Sequence, residues 1–212
     1  ERFDTTLWTA LLARKLDRDW TVLARHHLLR TDYRSRGDVL QNRAQLGLAW
    51  RGARADAELT VSRNRVRDLI SSWPPANVAK ARLSGLELVY KTRVRGFDLS
   101  VGADWLKAED ETTGKRLPRR AGAAAFARFD RSQGAWQYGM EINGQRGRYD
   151  NATNTVSLGG YGLVDLYVHY AWSPDWRVEM RANNLLDKTY SLASGYASAG
   201  RTLFAGVRYM PR

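Results

Sequence analysis

Apolar and polar residues alternate along most of this 212-residue chain, with a period of two. In the segment GFDLSVGADW, for example, Phe97, Leu99 and Val101 are separated by single polar residues. This period is typical of a β-strand that has one apolar face and one polar face. The same pattern recurs in residues 40–50, 55–61, 136–144, 161–172, 176–182 and 201–209. The chain is therefore predicted to be all-β, with about eleven strands.

The connections between these predicted strands alternate between short and long. Short turns are expected near residues 17–19, 51–52, 95–96, 131–134 and 173–175. Longer connections are expected near residues 35–39, 68–77, 109–116, 146–160 and 191–200. Outer-membrane β-barrels have this asymmetry, with tight periplasmic turns and longer extracellular loops. Strands of about ten residues also exceed the usual length of strands in soluble proteins, about 5–6 residues.

Tryptophan is concentrated beside the short turns. Five of the eight tryptophans lie there: Trp20, Trp50, Trp136, Trp172 and Trp176. Amphipathic rings are stabilised where a membrane meets water, so one end of a barrel would carry an aromatic girdle. Core tryptophans of a soluble sheet are the alternative, but burial does not predict clustering at one end of the strands. The pattern predicts an antiparallel transmembrane β-barrel with about 11–12 strands in this chain.

Composition narrows the class of protein further. The net charge is +12 and the isoelectric point is about 10.3, which first suggests nucleic acid as a partner. However, the basic residues are spread along the chain instead of forming one patch, so no nucleic-acid partner is expected. In a barrel these cations would face the lumen or the rim, or would meet anionic lipid headgroups. The absence of cysteine excludes disulfides and thiolate metal sites.

The direction of the strands predicts that the barrel is incomplete. The last predicted strand follows a long connection and therefore starts outside, and counting back through eleven strands makes the first strand start outside as well. A bacterial single-chain barrel has an even number of strands and both termini in the periplasm. At least one upstream strand is therefore expected to be missing. The absence of a signal peptide agrees, and the chain is expected to be the C-terminal part of a larger barrel.

Three motifs resemble those of TonB-dependent outer-membrane receptors, in particular the vitamin B12 (cobalamin) receptor type. The first is an Asn-Leu-Leu-Asp-Lys-Thr-Tyr run followed by Gly-Arg, in which Leu186 replaces the family's phenylalanine. Its matching residues are Asn184, Leu185, Asp187, Lys188, Tyr190, Gly200 and Arg201. The second contains Asp68, Leu69, Ile70, Asn77, Ala81, Arg82, Gly85 and Glu87. The third is Leu117, Pro118, Arg119 and Arg120.

This resemblance implies a part of a 22-stranded barrel in the bacterial outer membrane that transports cobalamin or a similar scarce metal chelate, such as an iron chelate. It implies no enzyme activity and no resident cofactor or metal. The implied partners are the TonB-ExbB-ExbD system, reached through a plug domain absent from these residues, the barrel-assembly machinery, and outer-membrane lipid or lipopolysaccharide. The expected ligand contacts are Trp73, Arg119 and Tyr149, because they are large or charged groups near outward strand ends.

Two parts of the chain depart from the family pattern. Residues 1–212 are assigned to one receptor-like barrel domain, but residues 1–52 resemble outer-membrane strands in general more than this receptor type. Family members usually end on an aromatic residue, whereas this chain ends in Tyr209-Met210-Pro211-Arg212. Less efficient membrane insertion is therefore expected.

Two other functions compete with transport. The first is a passive pore formed by a short β-barrel. The second is an outer-membrane hydrolase, for which Asp165 and His169 share one face of a predicted strand. Residues four apart in a strand are separated by about 13 Å, which is too far for a direct hydrogen bond. Lining of the lumen is the expected role of this pair.

Overall fold

A computed structural model describes residues 3–33, 37–70 and 77–211, and nearly all of its regular structure is β-strand. The strands are β1 Phe3–Lys15, β2 Trp20–Tyr33, β3 Gly37–Arg51, β4 Ala55–Ile70, β5 Asn77–Val94, β6 Phe97–Asp110, β7 Ala123–Gln133, β8 Trp136–Gln145, β9 Arg148–Tyr149, β10 Ser157–Leu158, β11 Tyr161–Ala171, β12 Trp176–Asn183 and β13 Thr202–Tyr209. Within the described ranges, no helix is long and apolar enough to cross a membrane.

Eleven of these strands form one antiparallel sheet in which spatial neighbours follow one another along the chain. The number of strands agrees with the sequence prediction. The remaining two, β9 and β10, form a separate short ribbon between β8 and β11. Strands β1 and β13 form the two edges of the large sheet, and they run in the same direction because every step between neighbours is antiparallel.

The strand register lines up the apolar positions into one continuous face. Leu59 of β4 lies opposite both Leu48 of β3 and Leu88 of β5. Two residues along β4, Val61 is 51% exposed, and on β12 Met180 is 53% exposed. Few apolar side chains are buried among the described residues, and none of the large ones is fully buried. This apolar face is therefore not covered by a second layer of protein, which argues against a stacked soluble sandwich.

The opposite face is mostly polar, and its charged groups pair across strands. Arg128 of β7 donates to Glu141 of β8 at 2.7 Å, and Asn143 donates to the same carboxylate at 2.8 Å. On the neighbouring strand, the Tyr167 hydroxyl donates to Asp130. This polar face suits an aqueous interior or a polar protein partner.

Aromatic side chains meet across neighbouring strands at the end that carries the short turns. Their ring centroids are 6.4 Å apart for Trp20 and Trp50, 4.5 Å for Trp136 and Tyr170, and 4.7 Å for Trp176 and Tyr209. All six residues belong to the apolar face. Four of the five tryptophans predicted to form a girdle therefore lie along one border of that face.

The strand β1 differs from the rest because it is apolar on both faces. Leu7 and Leu11 point to one side and Trp8 and Leu12 to the other, and all four are between 58% and 70% exposed. This explains why the alternation is weak in the first forty residues.

Several connections differ from their predicted limits. Val39, expected in a long connection, belongs to β3, and only residues 34–36 separate β2 from β3. The connection between β4 and β5 is likewise restricted to residues 71–76. Within β4, Arg67 lies opposite Lys80 and Leu69 opposite Val78, so the register is the same on both sides of Asp68. Asp68 has a φ angle of 56°, which distorts the strand locally without inserting an extra residue.

A small apolar cluster lies on the polar face at the end that carries the long connections. Its buried members are Val66, Val78, Ala81, Ala108 and Leu117. Leu117 belongs to the connection between β6 and β7, and its N–H donates to the Ala108 carbonyl at 3.0 Å. This connection is therefore anchored on the inner side of the sheet.

An introduced arginine should cost much more stability on the apolar face than on the polar face. Leu59→Arg should destabilise the lipid-embedded protein by about 2–4 kcal/mol, because it places a cation on the lipid-facing surface. Thr60→Arg on the polar face is the matched control and should cost much less, since Glu87 lies directly opposite. Urea unfolding of the full-length protein in lipid vesicles would measure both. Equal costs for the two variants would contradict the assignment of the faces.

Candidate functional site

Three connections at the same end of the sheet form a joined loop cluster, which we define as residues 111–122, 146–160 and 184–201. Arg119 joins the first two, because its Nε donates to Asp150 Oδ1 at 2.7 Å and its backbone N–H donates to the Tyr149 carbonyl at 2.6 Å. Two of the three predicted ligand contacts, Arg119 and Tyr149, are therefore adjacent. The third, Trp73, lies outside the described residues.

The position of Arg119 follows from a loop in the ladder between β6 and β7. Leu117 is hydrogen-bonded to β6, and the Leu106 N–H donates to the Gly122 carbonyl at 3.0 Å. The four residues between these contacts are looped out of the ladder. Pro118 begins this loop, and Arg119 adopts a φ of 57°, which is uncommon for a residue other than glycine. The hydrogen bonds from Arg119 to residues 149 and 150 hold this conformation.

Asp150 connects the third member of the cluster. Its Oδ2 accepts the Ser194 backbone N–H at 3.2 Å while its Oδ1 is engaged by Arg119. The hydrogen bond from Arg119 is the largest cause that lowers the pKa of Asp150 below its ordinary value. The carboxylate is therefore ionised at neutral pH and holds all three connections together.

Arg148 is a buried link that sequence reasoning missed. It is 7% exposed, and its guanidinium donates to the carbonyls of Ser191 and Leu192 at 3.3 and 3.2 Å. The same guanidinium lies 5.9 Å from the ring of Tyr161, whose own ring centroid is 4.4 Å from that of Tyr190. A single arginine in a polar, glycine-containing segment gives no periodic signal, so only the folded loops reveal its role.

The second connection is ordered by its own asparagines. Asn154 accepts the Arg116 N–H at 2.8 Å and donates to the Arg116 carbonyl at 2.9 Å, so its side chain imitates a strand partner. Asn151 Oδ1 accepts the N–H groups of Thr155 and Val156, each at 3.1 Å. These contacts make the loop a defined surface.

The residues of the predicted family motif form a compact hydrogen-bond network around Asn184. This residue is 4% exposed and has a φ of 49°. Its side chain accepts the Lys188 N–H at 2.9 Å and donates to the carbonyls of Lys188 and Ala199 at 3.0 and 3.4 Å. Its backbone N–H donates to Asp165 at 2.7 Å. The motif asparagine thus fixes both ends of a long connection to β11.

Asp187 and Gly200 complete this hydrogen-bond network. The carboxylate of Asp187 accepts the Arg201 N–H at 2.8 Å. A Cβ atom at Gly200 would lie 2.7 Å from the same carboxylate oxygen, so a larger residue there would displace the carboxylate from its hydrogen bond with the Arg201 N–H. Leu185 donates its N–H to the Val164 carbonyl at 2.8 Å. The glycine therefore leaves room for the carboxylate that closes this connection.

The hydrolase hypothesis has no geometric support. Asp165 is engaged by the backbone of Asn184, while the ring of His169 lies 5.1 Å from that of Tyr167. The two residues have separate neighbours and form no acid–base pair.

Comparison with known proteins identifies the family. The sequence model described as "TonB dependent receptor-like, beta-barrel" matches residues 43–185. The chain belongs to that family. The Vitamin B12 transporter BtuB of Photobacterium profundum is 32% identical over 139 residues, which cover 65% of this chain and 23% of that relative. The Vitamin B12 transporter BtuB of Vibrio cholerae serotype O1 (strain M66-2) is 31% identical over 144 residues, covering 62% and 22%. The chain thus spans less than a quarter of these relatives.

Solved structures confirm the fold. FpvA from P. aeruginosa superimposes with a TM-score of 0.79 at 15% identity, over 95% of this chain and 32% of that one. The ferric yersiniabactin uptake receptor FyuA from Yersinia pestis gives 0.75 at 15% identity, over 94% and 35%. The open sheet is therefore a section of a TonB-dependent receptor barrel. Membership of this family confirms the predicted location in the outer membrane, and the relatives are transport receptors and not enzymes.

Replacing Asn184 should loosen the connection 184–201 selectively. Asn184→Ala removes three side-chain hydrogen bonds to the backbone of Lys188 and Ala199 and places alanine at positive φ, for a total cost of about 2–4 kcal/mol. Limited proteolysis should then cut within residues 185–200. Asn183→Ala is the control, because Asn183 makes one side-chain bond, to Thr202 at 3.2 Å. Equal cleavage of the two variants would contradict the role of Asn184 in holding this connection.

The Arg119–Asp150 pair predicts how the loop cluster responds to acid. Because the pKa of Asp150 is lowered in the folded protein, its stabilisation is complete above the ordinary value of 3.8 and is lost as pH falls through the folded pKa. Hydrogen exchange at the Ser194 amide, corrected for intrinsic rate, should stay slow from neutral pH down to about pH 5 and accelerate below the ordinary pKa. Asp150→Asn should exchange quickly throughout. Protection that persists in Asp150→Asn would refute this role.

Proposed function

We propose that this chain forms part of the barrel of an outer-membrane receptor that takes up a scarce metal chelate, and that the chelate is cobalamin. The observation that carries the proposal is the match of about two thirds of the chain to vitamin B12 transporters. The joined loop cluster supports it, because it provides a defined binding surface at the end of the sheet that carries the long connections.

In this proposal the loops capture the ligand without covalent chemistry. Arg119 uses its Nε for Asp150, and its side chain is 36% exposed. Its terminal N–H groups are available to the amide carbonyls and the phosphate of cobalamin, and a guanidinium is well suited to both acceptors. Tyr149, whose carbonyl accepts the Arg119 N–H, would supply a ring that packs against the flat apolar part of the ligand.

The polar face supports passage through the barrel. The ion pair of Arg128 with Glu141, and that of Arg208 with Glu179 at 3.2 Å, place charged groups along the inner wall. Such a wall fits a polar plug domain that closes the lumen and moves when TonB, with ExbB and ExbD, pulls on it. The exposed strand β13, which ends at Tyr209, is the segment that we propose the barrel-assembly machinery recognises.

Cobalamin binding to the full-length protein tests this proposal. Arg119→Ala should weaken binding about tenfold, since it removes a charged hydrogen-bond donor worth about 1.5 kcal/mol or more. Arg120→Ala is the matched control, because Arg120 is exposed and has no ion pair with the described residues. Equilibrium dialysis with labelled cobalamin would measure both affinities.

Uptake in cells distinguishes an energised receptor from a passive pore. An energised receptor should accumulate cobalamin only in cells that contain TonB. Absence of cobalamin binding, together with steady ion conductance in planar bilayers, would instead support a passive pore.

A further inference from the structure

Two opposite charges hold the outer part of the connection 184–201. The Arg148 guanidinium donates to the carbonyls of Ser191 and Leu192 at 3.3 and 3.2 Å, while Asp150 Oδ2 accepts the Ser194 N–H at 3.2 Å. A cation thus binds backbone acceptors, and an anion binds a backbone donor, of the same short stretch. We call Arg148, Asp150 and residues 191–194 the charge clamp.

The two charged side chains of the clamp come from one strand segment. Arg148 belongs to β9, and the ladder continues to Asp150, whose N–H donates to the Val156 carbonyl at 2.8 Å. Residues two apart in a strand point to the same side and lie about 7 Å apart. The ribbon of β9 and β10 therefore sets the spacing of the two charges.

The outer part of the connection depends on this clamp. Among the described residues, no other hydrogen bond joins residues 191–198 to a different connection. The Ser198 N–H donates to the Tyr190 carbonyl of the same connection, at 3.4 Å. The clamp is consequently what places this segment beside the other two connections.

Stability alone does not account for an arginine at position 148. Arg148 is 7% exposed and forms no ion pair with the residues that the structure describes, and its Nη1 is buried without a hydrogen-bond partner among them. An incompletely paired buried charge costs free energy, and an apolar side chain of similar volume often gives equal or greater stability. The charge of Arg148 therefore points to a role in the loop cluster itself.

We propose that Arg148 is a positioning residue for Arg119, the arginine assigned to ligand contact. Asp150 lies between them, since its Oδ1 accepts the Arg119 Nε–H at 2.7 Å while its Oδ2 is held by the clamp. Arg148 keeps residues 191–194 against Asp150, and its charge favours the ionised carboxylate. Asp150 in turn orients the guanidinium of Arg119. The inference rests on the proposed function for the ligand contact, but the ordering of Arg119 by the clamp is measurable without a ligand.

The same arrangement predicts how the variants respond to acid. The hydrogen bond from Arg119 is the largest cause that lowers the pKa of Asp150, and the charge of Arg148 acts in the same direction. The third group that contacts the carboxylate, the Ser194 N–H, is uncharged. Loss of the Arg148 charge should bring the pKa of Asp150 closer to its ordinary value of 3.8. Stabilisation by the carboxylate would then be lost at a higher pH than in the wild-type protein.

Hydrogen exchange in the full-length protein in lipid vesicles tests the inference at two amides. One is Ser194, and the other is Arg119, whose N–H donates to the Tyr149 carbonyl. Arg148→Met should accelerate both about fivefold at neutral pH, a usual size for coupling through a contact network. After correction for intrinsic rate, their protection should also be lost at a higher pH. Arg148→Lys keeps the charge but not the forked geometry, so exchange should be faster while the pH of the acid transition stays at the wild-type value.

The matched control is Arg146→Met, because Arg146 is exposed and lies two residues earlier. It should leave both amides unchanged, and urea unfolding should show equal global stability for all variants. Unchanged exchange in Arg148→Met would overturn the inference, as would an acid transition in Arg148→Lys that matches Arg148→Met.

A second measurement links the clamp to the ligand. In equilibrium dialysis, Arg148→Met should weaken cobalamin binding about fivefold. Faster exchange with unchanged cobalamin affinity would mean that Arg148 is only structural, and would overturn its positioning role. If the wild-type protein binds no cobalamin, the proposed function fails, while the exchange of the Arg119 amide still decides whether Arg148 positions Arg119.

Discussion

The structure depends on one constraint, which is that every backbone N–H and C=O group within a membrane must find its partner inside the protein. Unpaired groups in hydrocarbon cost several kcal/mol each, so a sheet that crosses a membrane must pair strand to strand. The meander satisfies this requirement through neighbours in sequence, from β1 to β13. The edges at β1 and β13 run in parallel directions, so antiparallel closure between them would need an odd number of additional strands. The register then places the apolar side chains on one face, because a slip of one residue would turn them toward the polar face.

The loops show how a barrel can present a precise surface without a packed core. Side-chain hydrogen bonds take over the role that apolar packing has in soluble domains. Asn184 holds the connection 184–201, and the Arg119–Asp150 pair links all three connections. Arg148 joins the connection 146–160 to the connection 184–201. Asn184 bonds to backbone atoms of its own connection, Arg148 bonds to backbone carbonyls of another, and Asp150 combines its ion pair with Arg119 with a bond to the Ser194 N–H. The shape of the loop cluster is consequently set by polar contacts that remain effective next to water.

The strands were predictable from the sequence because their signal is periodic. A period of two is repeated in most of the long strands from β3 to β13 with enough contrast to reveal both faces, and the tryptophans mark one border. In β1 this contrast is lost because Leu7 and Leu11 make the second face apolar as well. The ribbon of β9 and β10 was missed within a predicted long connection, since strands of two residues are too short to show any period. The site residues Arg119 and Tyr149 were expected as ligand contacts, and that role remains a prediction. The contacts of Arg148 were unpredictable because they join residues more than forty positions apart.

The central claim is that the apolar face meets acyl chains while the other face borders water. Spin labels at successive positions of β5 test it most directly, and the 212 residues contain no cysteine that would interfere. Single cysteines replacing Leu86, Glu87, Leu88, Val89 and Tyr90 in turn would be labelled in lipid vesicles, and their collisions with dissolved oxygen and with a water-soluble nickel complex would be compared. We predict that oxygen contact is high at 86, 88 and 90 and low at 87 and 89, with the nickel complex showing the reverse. Labels at 86, 88 and 90 that are shielded from both reagents would mean that protein covers this face, and would contradict the claim.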